Sequence, residues 1–321
     1  MIILLMKNGI DIMEKSIRFY VTEKCNAACP SCFNSNFREV REMNVAKFSL
    51  LCDYFSEKGY TLLKIMGGEP TVHSCFEKIY NVAQKKFSKV NLFTNGMSDI
   101  LLTVVPRNED SIIYNFDFLG RYPESHFLIG KKGIRGFELQ IRKDSNPSYI
   151  IDQIKYIWSL LGAAAIFNLT LDCMTNIFVE KDKVIGIYRK VWDYCVENKI
   201  AISQDHIVPL CYSLGTKFPR VSRFAKCNCK DAGIVDAAFN LRFCNQHPQI
   251  LINLFSGNKI IPYEILVNHL KAQYMRNQLK ALDKICIECT FYGEYCDGGC
   301  FIENDRISKD DILNNTFFPT L

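Results

Sequence analysis

The chain has 321 residues, 48% of them hydrophobic and 23% charged, which suits one large folded unit with or without a small appendage and excludes a disordered segment. Thirty-nine Lys and Arg against 34 Asp and Glu leave a net charge of +5, too mild an excess for the concentrated basic face of a nucleic-acid binder. No run approaches the ~20 apolar residues of a membrane span, and the opening MIILLMKNGI is too short and lacks the preceding positive charge of a signal peptide, so a soluble cytoplasmic protein is expected.

Short β-branched or apolar runs predict strands at Ile17–Val21, Leu62–Met66, Val90–Thr94, Ile112–Phe116, Phe137–Ile141 and Phe167–Leu171. Between them, apolar residues at helical spacing predict helices over Val45–Glu57, His73–Lys86, Ile100–Val104, Tyr149–Leu161 and Val184–Asn198. Successive βα units specify a parallel sheet, and right-handed crossovers wrap six of them into a partial, TIM-like (β/α)6 barrel with its site at the carboxyl ends of the strands. The barrel is expected over 17–205, after a lead-in over 1–16. A second region, 206–321, breaks the alternation. Seven cysteines fall between Cys227 and Cys300, few long apolar runs accompany them, and an inorganic centre is expected to hold the region together. Ile261–Leu282 reads as a helix with Leu266, Leu270, Tyr274 and Leu282 as its apolar positions.

Fifteen cysteines, an odd number in a long chain, argue against a disulfide scaffold. Immediately after the first strand comes Cys25-Asn-Ala-Ala-Cys29-Pro-Ser-Cys32-Phe33. Three thiolates in one loop suit a four-iron cluster with one iron left open, whereas a zinc knuckle would pair Cys-x2-Cys with a second pair to close a tetrahedron. Met66-Gly67-Gly68-Glu69-Pro70 ends the second strand, where two glycines let the backbone approach a ligand closely or make a simple turn. In order and spacing these motifs resemble the radical S-adenosylmethionine superfamily.

That resemblance implies a cluster on Cys25, Cys29 and Cys32, and S-adenosylmethionine bound beside Gly67, Gly68, Glu69 and Pro70. Thr94 and Asn95 at the end of strand three, Asn115 and Asp117 on strand four, and Arg142 after strand five stand where relatives place polar contacts to that cofactor. The ordinary alternative makes them strand-end turn or salt-bridge residues. Cys227, Cys229 and Cys244, then Cys286-x2-Cys289-x6-Cys296-Asp-Gly-Gly-Cys300, resemble the SPASM extension of the same superfamily, which carries auxiliary four-iron clusters. By that likeness Cys227, Cys229, Cys244 and Cys300 hold an inner cluster and Cys286, Cys289 and Cys296 an outer one. Phe239 stands where the family has glycine, the Cys289 to Cys296 spacing is one residue long, and no cysteine follows Cys300. The outer site is therefore completed by Glu303 or Asp305, left with an open iron, or absent, as in the abbreviated twitch version; zinc is the remaining alternative for its Cys-x2-Cys pair.

Cys52, Cys75, Cys173, Cys195 and Cys211 read as small packing hydrophobes, although Cys173 at the end of strand six and Cys211 just beyond the barrel are also candidate hydrogen-atom donors. His73, His126, His206, His247 and His269 lack metal-ligand spacing, and His206 is a candidate base. The resemblance implies an oxidoreductase or maturase that cleaves S-adenosylmethionine reductively, abstracts a substrate hydrogen atom with the 5′-deoxyadenosyl radical, and takes its electron from a flavodoxin- or ferredoxin-type donor. Peptide or protein modification by crosslinking, epimerisation or oxidation is the leading expectation. A small-molecule substrate such as an aminoglycoside or sugar is the alternative, and a zinc-stabilised binding protein is the rival of another class. Only 24 residues precede Cys25, so a leader-binding function is expected on a separate partner, if the substrate carries a leader.

Overall fold

The computed structural model describes residues 15–29, 32, 40–115, 134–142, 144–171, 181–204, 233–244 and 249–280. All six predicted strands form: β1 Ser16–Thr22, β2 Leu62–Gly67, β3 Lys89–Thr94, β4 Ser111–Asn115, β5 Ile134–Ile141 and β6 Ala165–Leu171. The helices are α1 Val45–Glu57, α2 Phe76–Lys86, α3 Pro147–Leu161, α4 Lys181–Glu197 and α5 Tyr263–Lys280.

Two predicted helices differ. Asp99–Thr103 is a 3-10 turn, and the helix expected from His73 starts at Phe76, behind a separate 3-10 turn over Pro70–Val72. His73 explains the break. It is 4% exposed, its Nδ1 accepts the Cys75 N–H at 2.9 Å, and its Nε2 donates to the Met43 carbonyl at 3.0 Å. That neutral tautomer makes it a structural bracket.

Strands β1 to β7, the last being Ile202–Gln204, pair in parallel, and the sheet continues past β1 on the other side. There β8 Ile234–Val235 joins β1 in parallel, followed by the antiparallel β9 Asn240–Arg242 and β10 Ile250–Asn253, giving ten strands among the described residues. A separate pair, β11 Phe255–Ser256 and β12 Lys259–Ile260, leads into α5. Strands β8 to β10 thus extend the barrel's own sheet. No helix among the described residues is long and apolar enough to cross a membrane.

The two faces of the sheet separate by chemistry, as the period of two along a strand requires. Phe19 meets Phe48 and Phe55 of α1 edge-on at 5.5 and 5.8 Å. Its face carries the helix-covered core, including Ile65, Leu92, Tyr114, Phe137 and Phe167. The opposite face lines the inside of the partial barrel. In register across it run Arg18, Lys64, Asn91 and Ser111 nearest the strand starts, then Phe93, Ile113, Gly136 and Ile166, then Asn115, Glu138, Asn168 and Ser203.

Candidate active site

The site is built where β1 and β2 end. The chain leaving β1 runs beside the segment entering α1: Met43 N–H donates to Val21 O at 2.7 Å and Glu23 N–H to Arg41 O at 2.9 Å. Both ends of the cysteine-bearing stretch are therefore anchored to one place. Glu42 strengthens the anchor by accepting from Ser74 N–H at 2.8 Å, Ser74 Oγ at 2.7 Å and Lys24 Nζ at 3.1 Å. Burial opposes the charge on Glu42, but the Ser74 hydrogen bonds and Lys24 outweigh it and hold the carboxyl at about 2.

Gly67 and Gly68 press against the same exit. Gly68 N–H donates to Thr22 O and Glu69 N–H to Lys24 O, both at 2.8 Å. A Cβ on Gly67 would stand 2.4 Å from the Thr22 carbonyl oxygen, and one on Gly68 2.2 Å from that of Lys24. The glycines are needed for the close approach of two backbone segments. This is a packing reason for both, independent of any ligand.

Glu69 joins the next strand. Only 1% exposed, it accepts Thr71 N–H at 3.1 Å, Thr71 Oγ1 at 2.6 Å and Thr94 Oγ1 at 2.8 Å through Oε1, and Asn95 N–H at 2.6 Å through Oε2. Pro70, with no N–H to place, opens the short 3-10 turn that this carboxylate caps. Asn95 then reaches back: its Nδ2 donates to Asn26 Oδ1 at 2.7 Å, next to Cys25. Thus Gly67, Gly68, Glu69, Pro70, Thr94 and Asn95 gather around the base of the cysteine loop.

Cys25 is exposed, Cys29 and Cys32 are partly exposed, and none is in a disulfide. Within the loop Ala27 N–H points at Cys25 Sγ at 3.4 Å, and Cys32 N–H donates to Cys29 O at 3.2 Å. Among the described residues no group of three or more His, Cys, Asp or Glu side chains stands at metal-holding geometry. By chemistry the loop fits an iron–sulfur cluster: three thiols, all reachable from solvent, on one short loop at the strand carboxyl ends.

Across the barrel, Asn115 is in register with Glu138, which accepts Asn168 Nδ2 at 2.9 Å and Thr170 Oγ1 at 3.2 Å. Ser203 donates to Asn168 Oδ1, extending this polar layer to β7. Arg142 lies one strand-end further on, with Nη2 donating to Gln140 Oε1 at 2.8 Å. Sequence reasoning missed Glu138 and Asn168, although a lone acid in Phe137-Glu-Leu-Gln-Ile141 signals a strand with one polar face. It also missed Asn26, for which an amide between two cysteines was the available signal.

Cys52 and Cys195 are fully buried. Burial pushes the Cys52 thiol far up and that of Cys195 up to about 12, as packing residues require. Cys244 follows β9 and packs, partly buried, against the core. Asp117, Cys173, His206, Cys211, Cys227, Cys229, Cys286, Cys289, Cys296, Cys300, Glu303 and Asp305 lie outside the described residues.

A parallel α/β partial barrel with a three-cysteine loop at the exit of its first strand and a Gly-Gly-Glu-Pro turn beside it is the build of the radical S-adenosylmethionine enzymes. The chain is similar to such proteins over short stretches of sequence and, in fold, over most of its length. It is 28% identical over 109 residues to the S-adenosylmethionine-dependent nucleotide dehydratase of Selenomonas ruminantium, covering 34% of this chain and 38% of that one. It is 32% identical over 79 residues to the antilisterial bacteriocin subtilosin biosynthesis protein AlbA of Bacillus subtilis, covering 24% of this chain and 18% of AlbA. Both matches therefore span well under half of the relative's own length. In fold the chain is similar to Streptococcus suis SuiB bound to S-adenosylmethionine, with a TM-score of 0.66 at 12% identity over 95% of this chain and 77% of SuiB. No protein-family model matches.

Proposed function

We propose that Cys25, Cys29 and Cys32 hold a four-iron cluster that binds S-adenosylmethionine, and that the chain is a radical enzyme modifying a peptide or protein. The observation that carries the proposal is the suturing of the three-cysteine loop to the Gly-Gly-Glu-Pro segment, through Gly68 N–H to Thr22 O and Glu69 N–H to Lys24 O. The cluster and S-adenosylmethionine, when bound, supply the one-electron cleavage that yields a 5′-deoxyadenosyl radical. The chain's own residues supply placement. Backbone at Gly67 and Gly68, the Thr94–Asn95 strand end, Asn115, Asp117 and Arg142 would supply the contacts that hold the cofactor. The apolar row Phe93, Ile113, Gly136 and Ile166 lies beneath the polar layer of Asn115, Glu138, Asn168 and Ser203, and limits water under the reacting groups.

The region 206–321 is read as a SPASM-like extension in which Cys227, Cys229, Cys244, Cys286, Cys289, Cys296 and Cys300 hold one or two auxiliary clusters. Cys173 or Cys211 donates a hydrogen atom where the reaction is redox-neutral. A flavodoxin- or ferredoxin-type protein supplies the electron, and a separate protein presents any leader sequence. Peptide modification is favoured because AlbA is named for bacteriocin biosynthesis and SuiB has been solved with its precursor peptide SuiA. The name of the Selenomonas relative, a nucleotide dehydratase, gives the small-molecule reading its own observation. The two part on one assay. Reconstituted, reduced enzyme is offered peptides encoded by short reading frames beside its gene, and separately nucleoside triphosphates. Peptide-stimulated formation of 5′-deoxyadenosine with a mass change in the peptide supports the first reading; stimulation by nucleotide alone replaces it with the second.

A further inference from the structure

We infer that Asn26 and Asn95 are positioning residues that pin the cysteine loop past its first thiol and thereby set the reduction potential of the cluster it holds. The inference deepens the proposal above and rests on it.

Asn95 presents a donor from a fixed place. It is 7% exposed, and its own N–H is held by Glu69 Oε2 at 2.6 Å. Its Oδ1 accepts Met97 N–H at 3.0 Å. A backbone N–H can only donate, so this contact settles which end of the amide is oxygen. Nδ2 must then face the loop, where Asn26 Oδ1 receives it at 2.7 Å. Asn26 itself is exposed. A buried amide held through its own N–H and Oδ1 therefore reaches out to an exposed residue of the loop.

The place of that contact gives it a consequence. The backbone ties at Thr22, Glu23 and Lys24 all precede Cys25, while the Asn26–Asn95 bond carries the hold beyond it. The peptide that follows Asn26 bears the Ala27 N–H, which points at Cys25 Sγ at 3.4 Å. Holding Asn26 aims that N–H at the thiolate. Hydrogen bonds to the sulfurs are one of the levers that set cluster potentials. An N–H aimed at sulfur stabilises the more negative, reduced state, so it raises the potential. Loosening the tether should lower it.

The test is an EPR-monitored redox titration of the reconstituted full chain, following the signal that S-adenosylmethionine perturbs, since only the three-cysteine cluster responds to that probe. Asn26→Ala and Asn95→Ala should each shift the midpoint to lower potential by a similar amount, and the double variant should shift it no further, as expected for two halves of one contact. Affinity for S-adenosylmethionine should weaken about fivefold in each, the scale of one lost neutral hydrogen bond. Shifts that add in the double variant, or midpoints equal to wild type, overturn the inference. Where an alanine variant does not fold, Asn26→Ser and Asn95→Ser repeat the test, because serine is too short to span the contact. A wild-type chain with no S-adenosylmethionine-sensitive signal defeats the cluster proposal itself, a result distinct from unchanged midpoints in the variants.

Discussion

Glu69 Oε2 lies 2.6 Å from the backbone nitrogen of Asn95, so one buried carboxylate joins the end of β2 to the end of β3. The same side chain accepts the Thr71 N–H, and neither backbone donor can rotate toward another partner. Glu69→Ala leaves both without this acceptor. We expect a loss of about 1–3 kcal/mol or more, the scale for unsatisfied buried donors, measured by urea unfolding of the reconstituted chain. Burial also pushes the Glu69 carboxyl above its ordinary value, against the pull of its hydrogen bonds from Asn95, Thr71 and Thr94. A raised folded value means that stability is present below the ordinary carboxyl range and falls as pH rises through the folded value. Glu69→Ala should lack that decline.

Glu42 behaves in the opposite sense. Its ordinary value of 4.5 is lowered to about 2 by Ser74 and Lys24 despite partial burial. Its contribution is present above the ordinary value and lost as pH falls through the folded one. Wild type should lose stability between about pH 4.5 and 2, and Ser74→Ala should flatten that acid limb in thermal melts taken across the interval. An unchanged limb would mean that the Ser74 hydroxyl does not hold the charge.

Gly68 and Gly186 make a matched pair. A Cβ at Gly68 would sit 2.2 Å from the Lys24 carbonyl oxygen, while one at Gly186, inside α4, meets nothing within 4 Å. Gly68→Ala should cost at least about 1–3 kcal/mol, as overpacking does, and reduce iron uptake at the adjacent loop. Gly186→Ala should be neutral or stabilising by about 0.5–1 kcal/mol. Denaturant midpoints and iron content of the two variants check both.

Phe239 adopts φ +66, in the left-handed region, yet is 8% exposed and meets Phe255 edge-on at 5.2 Å. Asp236 fixes the turn, accepting Ala238 N–H at 3.0 Å and Asn240 N–H at 2.9 Å and pairing with Arg242 at 2.9 Å. The backbone there has a left-handed conformation that glycine adopts without steric cost, and the ring offsets its strain by packing. Phe239→Gly should therefore destabilise less than Phe239→Ala, by about 1 kcal/mol, because alanine loses the ring and keeps the strain. Equal unfolding midpoints would contradict this.

The six long strands and helices α1 to α5 were legible from their apolar period, whereas the five residues Asp99–Thr103, expected within a helix, are too few to show one and form a 3-10 turn; α1 appears at the predicted limits, Val45–Glu57. Strands β7 to β12 were not, since the two to four residues of each hold too few alternations to register a period. The cysteine loop and the Gly-Gly-Glu-Pro turn were visible as motifs, but their joining was not. Hydrogen bonds such as Asn95 to Asn26, separated by 69 residues, leave no local pattern. The glycine pair illustrates the same limit: the residues were evident, and the partner they make room for, the Thr22–Lys24 backbone, was not.

The most direct measurement is quantification of 5′-deoxyadenosine from S-adenosylmethionine by the anaerobically reconstituted, dithionite-reduced chain, beside a variant in which Cys25, Cys29 and Cys32 are all alanine. Wild type should form 5′-deoxyadenosine together with methionine. The triple variant should form none, while keeping the iron bound by the C-terminal cysteines. Undiminished 5′-deoxyadenosine from the triple variant would contradict the assignment of the cluster to these three thiols.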